Sequence, residues 1–280
     1  MGFNISSLLT DSEELLIKRC KELFLRADEG VAGASHFLNL RERFIIEHQL
    51  SSIFSDDETS PLCFFWGGYP NAERTILWCL PSYCRYQLTD DIPMQAAFKE
   101  DFTEELMPLR IKTSGYVKLA HRDFLGAIIG LGIDRTVVGD ILPDSDGAVI
   151  FVSASIAEFI KSELTYIGRD KVKVQNVTLP EDFDFERKFE KVHGTVASPR
   201  LDAVVSELAR TSRESAKGLI HEGLVEHNYF TASESDREVA NGDIISIRKS
   251  SGTKGGKFIV DNLDERSSKG RIKLAARRFI

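Results

Sequence analysis

The chain has 280 residues, 42% of them hydrophobic and 28% charged, with a formal net charge of −7 at pH 7. This composition fits a folded globular protein of about two domains and excludes disordered, collagen-like and disulfide-scaffold classes. No stretch approaches the ~20 apolar residues of a membrane span, and the acidic start shows no signal-peptide pattern. No membrane partner and a cytoplasmic location are therefore expected.

The first predicted element is a helix. Thr10-Asp11-Ser12 offers a cap, and Leu15, Leu16, Leu23 and Phe24 recur at helical spacing to about Asp28, before Gly30 and Gly33 break the pattern. A second helix is predicted from about Ser35 to Gln49, with Phe37, Leu40, Phe44 and Ile45 on one face. Asp56-Asp57-Glu58 and Pro61 close this helical subdomain, residues 1–60. Short strands follow at Cys63–Trp66, stopped by Gly67-Gly68-Tyr69-Pro70, and at Thr75–Leu80, stopped by Pro81. Thr89–Leu106 reads as partly helical. Beyond it the pattern predicts a strand at Leu109–Lys112, a helix at His121–Leu131 and strands at Val137–Leu142 and Ala148–Val152. A helix at Ile156–Tyr166 and a strand at Lys171–Val177 complete the run. That order, β-α-β-β-α-β, is the ferredoxin-like split βαβ arrangement, assigned to residues 61–180. Ala148–Phe151 lacks the basic-Gly-aromatic signature of sheets that stack bases, so no base stacking is expected there. Residues 181–197, charged and interleaved with phenylalanines, read as a linker or an extended packing strand.

Residues 198–260 carry the sharpest pattern. Leu201, Val204, Val205 and Leu208 form one apolar helix face behind Pro199. Thr211 and Glu214 fit a capping box for a second helix with Ala216, Leu219 and Ile220 inward and Gly223 at its end. Arg213 and Lys217, four residues apart, share a face away from that stripe, and a tight helix pair would bring Arg200 beside them. Asn241-Gly242 marks a turn, and Asp243–Arg248 alternates like a strand. The acidic excess lies in residues 1–197, whereas residues 198–260 are balanced and 261–280 are basic. Such a distribution suits limited docking on RNA rather than indiscriminate coating.

Several tempting sites fail. His121-Arg122-Asp123 reads like a kinase loop, but Ile128 stands where its asparagine belongs. His221-Glu222 lacks the second histidine of a zinc protease, since Val225 occupies that position. Gly252–Lys257 is mis-spaced for a P-loop, and Phe258 replaces its Ser/Thr; a mobile basic hairpin tip is expected there. Cys20, Cys63, Cys79 and Cys84 form no C-x-x-C pair and read as structural thiols in a reducing compartment. No catalytic residue, metal or cofactor is expected.

The pattern of Arg200, Leu201, Asp202, Ser212, Arg213, Ala216, Lys217, Leu219, Ile220, Gly223, Val225, Val239, Gly242, Asp243, Ile245, Ile247 and Arg248 resembles the S4 RNA-binding domain. One departure is Asn228-Tyr229 at the first hairpin, where that family usually has Asn-Gly. Arg200, Ser212, Arg213 and Lys217 become the expected RNA contacts, with Arg210, Lys257 and Arg122 as further candidates. The Arg266–Lys273 and Arg277-Arg278 stretches are either an RNA-touching basic tail, residues 261–280, or a final strand's outer face. Together with Phe65–Pro70 and His121–Arg135, the whole layout resembles the YlmH family of bacterial S4-domain proteins. That resemblance implies association with the large ribosomal subunit and a part in rescuing stalled peptidyl-tRNA complexes. The resulting expectation is an α+β, monomeric, non-enzymatic adaptor docking on rRNA or tRNA. The rival is an RNA-modifying enzyme, a pseudouridine synthase or rRNA methyltransferase carrying an S4 domain, but neither a synthase domain nor a Gly-rich cofactor turn is evident. A protein-only adaptor in cell division would leave the basic face without purpose.

Overall fold

Thr10 starts the first helix by reciprocal capping: its Oγ1 accepts from the Glu13 N–H and Glu13 Oε2 accepts from the Thr10 N–H, at 3.3 and 2.9 Å. In the computed structural model, which describes residues 5–55, 57–87, 105–180, 183–185, 187–250, 253–268 and 270–280, this helix is α1 (Asp11–Asp28). The chain forms two units, Met1–Phe185 and Glu186–Ile280.

In the first unit, α2 (Leu40–Gln49) begins later than the Ser35 expected from periodicity. Asn39 is the reason. Its side chain accepts from the Arg41 and Glu42 N–H groups, and Glu42 accepts from the Asn39 N–H in return. Ahead of it, Ser35 and Leu38 stay extended and bond the backbones of Leu77 and Thr75. β1 (Gly33–Ala34), β2 (Leu62–Trp66) and β3 (Ile76–Leu80) make an antiparallel sheet in the order β1-β3-β2.

All five residues of β3 are buried. Its Leu77 and Cys79, with Cys63 of β2, pack on Leu16, Cys20 and Ile46 of the helices. Its Ile76, Trp78 and Leu80 pack on a second sheet through Leu106, Leu142, Val149 and Phe151. That sheet is formed by β4 (Leu106–Lys112), β5 (Val138–Pro143), β6 (Gly147–Ser153) and β9 (Lys173–Asn176), in the antiparallel order β5-β6-β4-β9. α3 (His121–Gly130) and α4 (Ala154–Glu163) cover its far face, setting Phe124, Ile128 and Ile160 against Leu109, Ile111, Ile150 and Val152. A small hairpin, β7 (Tyr166–Ile167) and β8 (Asp170–Lys171), leads from α4 into β9.

The layers are therefore helix, sheet, sheet, helix, and the sequence-based division at residues 60 and 61 is redrawn. β2 and β3 belong with β1, α1 and α2, because β3 buries one face on the helices and the other on the second sheet. Thr89–Leu106, read as partly helical, lies almost entirely outside the described residues. Cys63 and Cys79 face each other across β2 and β3 with Sγ atoms 3.2 Å apart. Burial, with Glu42 and Cys63 nearby, pushes the Cys20 thiol up to about 12, so it behaves as a core hydrophobe.

The second unit holds a six-stranded sheet, β10-β15-β14-β13-β11-β12, with two helices on one face. Its elements are β10 (Phe189–Val196), α5 (Leu201–Ala209), α6 (Arg213–His221), β11 (Val225–His227) and β12 (Phe230–Thr231), then β13 (Ile244–Ile247), β14 (Gly256–Asn262) and β15 (Ile272–Phe279). Residues 181–197 are thus not simply a linker: β10 pairs with β15 from Phe189↔Phe279 to Val196↔Ile272. Nor are residues 261–280 a free tail, since β15 lies between β10 and β14. Ile272, Leu274 and Ala276 alternate into the core while Lys273, Ala275 and Arg277 face the other way, so the segment reads as basic in sequence while one face is buried.

Asn228 and Tyr229, the departure in the first hairpin, both have left-handed φ, 50° and 69°. A two-residue I′ turn asks for that backbone at both positions. Asn228 holds it by donating to Asp243 Oδ1 (2.7 Å) and accepting from the Ile244 N–H (2.8 Å). Asp243 also bonds His227 Nε2 (2.6 Å) and the Ala240 N–H (2.8 Å), tying two turns together.

Two glycines separate packing from propensity. Gly68 has φ +100°, and a Cβ there would lie 2.4 Å from the Phe151 ring. Gly126, inside α3, would meet nothing within 4 Å. In urea unfolding, Gly68→Ala should lose more than about 2 kcal/mol, and Gly126→Ala should gain about 0.5–1 kcal/mol.

Candidate nucleic-acid interface

α5 is an apolar helix with one carboxylate sealed inside it. Its start is clamped by residues 235–239, with the Leu201 and Asp202 N–H groups donating to Arg237 O and Ser235 O and the Val239 N–H to Pro199 O. The Asp202 side chain is 0% exposed, and its Oδ1 accepts from Arg213 Nη2 at 2.8 Å and Arg200 Nε at 3.4 Å. Its Oδ2 is buried with no partner among the described residues. Burial alone would raise this carboxyl; the bonds from Arg213 and Arg200 outweigh it and hold the group below the usual carboxylate range.

This carboxylate brings Arg200, the residue before α5, to Arg213, the first residue of α6. Their side chains remain 41% and 48% exposed, so each guanidinium is fixed at its inner side and open at its outer side. Lys217 follows one turn later, exposed and with no ion pair among the described residues. Ser212 caps α6, accepting from the Ser215 N–H at 3.1 Å and exchanging a bond with Ser215 Oγ at 2.9 Å. The expected Thr211–Glu214 box is absent because Thr211 belongs to the end of α5, its N–H bonding Ser206 O beyond the left-handed Arg210 (φ 53°). Arg210 itself is exposed in the turn between the helices.

The other expected contacts are elsewhere. Lys257 is not at a hairpin tip but inside β14, paired with Ser246. Phe258 and Val260 point toward the helices, so period-two alternation puts Lys257 on the opposite sheet face. There its Nζ lies 5.1 Å from the Tyr229 ring centroid and 5.0 Å from that of Phe279. Arg277 shares that face, over Phe189 and bonded to Asp261. Arg122 belongs to the first unit, in the first turn of α3 with 88% of its side chain exposed. Asp123 accepts from the Ala120 N–H at 2.8 Å, closing the start of α3. The role of Asp202 was missed. Its one signal in sequence is a carboxylate set among Leu201, Ala203, Val204 and Val205 in the first turns of the helix. No group of three or more metal-ligating side chains occurs among the described residues, and no described helix is long and apolar enough to cross a membrane.

The pinning of Arg213 changes what its removal does. Arg213→Ala strips the closer of two donors from a buried carboxylate and should cost about 1–3 kcal/mol, whereas Lys217→Ala should stay within ~0.5 kcal/mol. A native carboxyl held below its unfolded value of ~3.9 contributes stability above that pH, and loses it as pH falls through the folded value. Urea midpoints measured from pH 6 downward should therefore fall less steeply for Asp202→Asn than for the native chain.

A family model described as "Putative RNA-binding domain in YlmH" matches residues 98–181. The chain is similar to ribosome-associated protein quality control protein P2 of Bacillus subtilis (strain 168), 31% identical over 212 residues that cover 76% of each chain. The solved structure of cell division protein ylmH from Streptococcus pneumoniae covers 63% of this chain and 97% of that one, at 20% identity and a TM-score of 0.46. That likeness is too distant to bear on function. Identity of this level across three quarters of a curated relative, with the family's own domain matched inside it, means that the chain belongs to the YlmH family.

Proposed function

We propose that this protein is a non-enzymatic RNA-binding adaptor that docks on rRNA or tRNA of the large ribosomal subunit and acts in rescue or quality control of stalled ribosomes. The observation that carries the reading is the pair Arg200 and Arg213, fixed on buried Asp202 with Lys217 one turn away. Three cations on one rigid surface suit a run of phosphates: arginine presents a planar fork and lysine a point charge. The helix pair laid on a sheet, the Asn228-Tyr229 hairpin and the Asp243 turn support reading residues 198–260 as an S4 domain. The β-α-β-β-α-β order and the strand order β5-β6-β4-β9 support a ferredoxin-like reading of the middle of the first unit. That the Bacillus subtilis relative is named a ribosome-associated quality control protein supports the ribosomal setting. For the rival enzyme, no arrangement of nucleophile and base or of a cofactor turn among the described residues speaks in its favour.

The protein should co-sediment with purified large subunits at low salt and leave them as salt rises, because phosphate binding releases counterions. Lys217→Ala should reduce the slope of log K against log[salt] by about one unit, and the Arg200, Arg213 and Lys217 triple alanine variant by about three. Binding by the triple variant with an unchanged slope would rule out this face. Mass-spectrometric mapping of rRNA and tRNA from a deletion strain should show every modified nucleotide still present; loss of one defined modification would favour the enzyme.

A further inference from the structure

Two other arginines, both in the first unit, are held in an unusual way. Arg74 Nε and Arg135 Nη1 donate to the same atom, Val138 O, at 2.8 and 2.5 Å. Arg74 Nη2 also donates to Phe37 O (3.1 Å) and Arg135 O (3.0 Å), and Arg135 Nη1 to Gly139 O (3.1 Å). Every anchor is a neutral carbonyl, and neither arginine forms an ion pair with a carboxylate among the described residues. Asp140, next along β5, is engaged by Tyr69 Oη (2.6 Å) and by the Glu73 and Arg74 N–H groups (2.7 and 3.1 Å).

Two like charges converging on one oxygen repel each other. Burial and the nearby Arg74 push Arg135 down to about 10, against the pull of Asp140. Burial also lowers Arg74, against Glu42 and Asp140. A guanidinium carries five N–H donors. The carbonyls take Nε and Nη2 of Arg74 and Nη1 of Arg135; Nη1 of the first, with Nε and Nη2 of the second, have no protein partner among the described residues and are not sealed from solvent. The result is two forks, fixed in orientation, with donors open and charge uncompensated by direct contact.

The geometry points to an RNA-phosphate site at Arg74 and Arg135, a second contact separate in residues from the Arg200, Arg213 and Lys217 face. The site rests on the reading that this chain binds ribosomal RNA or tRNA. Three observations favour RNA over a small anion. Both faces of the four-stranded sheet are covered, so contact by this unit falls on its edges and loops, where this pair stands at the start of β5. Exposed Arg122 follows His121, a residue close enough to Arg135 to feel its charge, so a further cation extends the same area along a backbone. The pair is also open rather than enclosed, with both side chains half-buried.

The test uses the full chain, purified bacterial large subunits and, as a second probe, total tRNA. Arg135→Gln should weaken binding about three- to tenfold and reduce the salt slope by about one unit, while Arg135→Lys keeps the slope. Phenylglyoxal footprinting of the native chain should show Arg74 and Arg135 protected on binding, which tests the site even if Arg135→Gln does not fold. An unchanged slope in a folded Arg135→Gln, or no protection, overturns the site. Equal protection by millimolar inorganic phosphate or AMP overturns its assignment to RNA. Binding weakened by Lys217→Ala but untouched by Arg135→Gln removes this site alone, whereas a native chain that binds neither probe removes the adaptor reading and this site together.

Discussion

A carboxylate buried inside an apolar helix costs more than the folded state tolerates unless it is paired. Asp202 meets that demand through Arg213 and Arg200, and the demand shapes the surface above it. The arginines have to point inward at one end, which fixes where their outer N–H groups project. The register of α5 against α6 follows from the same contact, since Arg213 reaches Asp202 only if the turn at Arg210 is left-handed and Ser212 starts the next helix. The bonds that satisfy the buried carboxylate therefore also set where the two exposed guanidinium ends project in the second unit. A conservative change at Asp202 would loosen these outward-facing guanidiniums without touching them.

In the first unit the governing constraint is β3, buried on both faces. A strand with no solvent side needs a layer above and below, and the four-stranded sheet supplies one of them. That packing removes the surface on which single-stranded bases stack in sheet-type RNA binders. Phe151, at the centre of that face, is fully buried and stacks on Tyr69 instead, centroids 5.1 Å apart. At the rim of this unit, the Gly67-Gly68 bend delivers Tyr69, Glu73 and Arg74 to Asp140.

Much of this was legible from the residues. The apolar face Leu201, Val204, Val205 and Leu208, the Thr10 cap and the run from β4 to β9 have strong local periodicity, and each element is found near its expected place. Long-range pairing was less legible. β10 and β15 mix charged residues (Glu190, Lys191, Lys273, Arg277, Arg278) among their apolar ones, so the inward-facing residues looked like isolated apolar positions in a linker and a tail. The late start of α2 hid in Asn39, which competes with a helical pattern already satisfied by Phe37 and Leu40. Of the expected contacts, Arg200, Arg213 and Lys217 are brought to one side because helical spacing and a tight turn are local rules. Lys257 is not, because which way a strand residue faces depends on register with neighbours far away in sequence.

The two arginine pairs differ in what holds them, and the difference has consequences for binding. Arg200 and Arg213 share a carboxylate, so part of their charge is neutralised before any phosphate arrives, and Lys217 supplies the cation without a fixed partner. Arg74 and Arg135 are oriented by carbonyl dipoles and keep their charge, at the cost of mutual repulsion that an incoming anion would relieve. Relief of existing strain adds to the gain from a phosphate contact, whereas at Asp202 an incoming phosphate competes with a bond already made. Per contact, a phosphate on the carbonyl-held pair should therefore gain more. The carboxylate-held pair should instead contribute alignment, since its geometry is set by a bond that persists in the free protein.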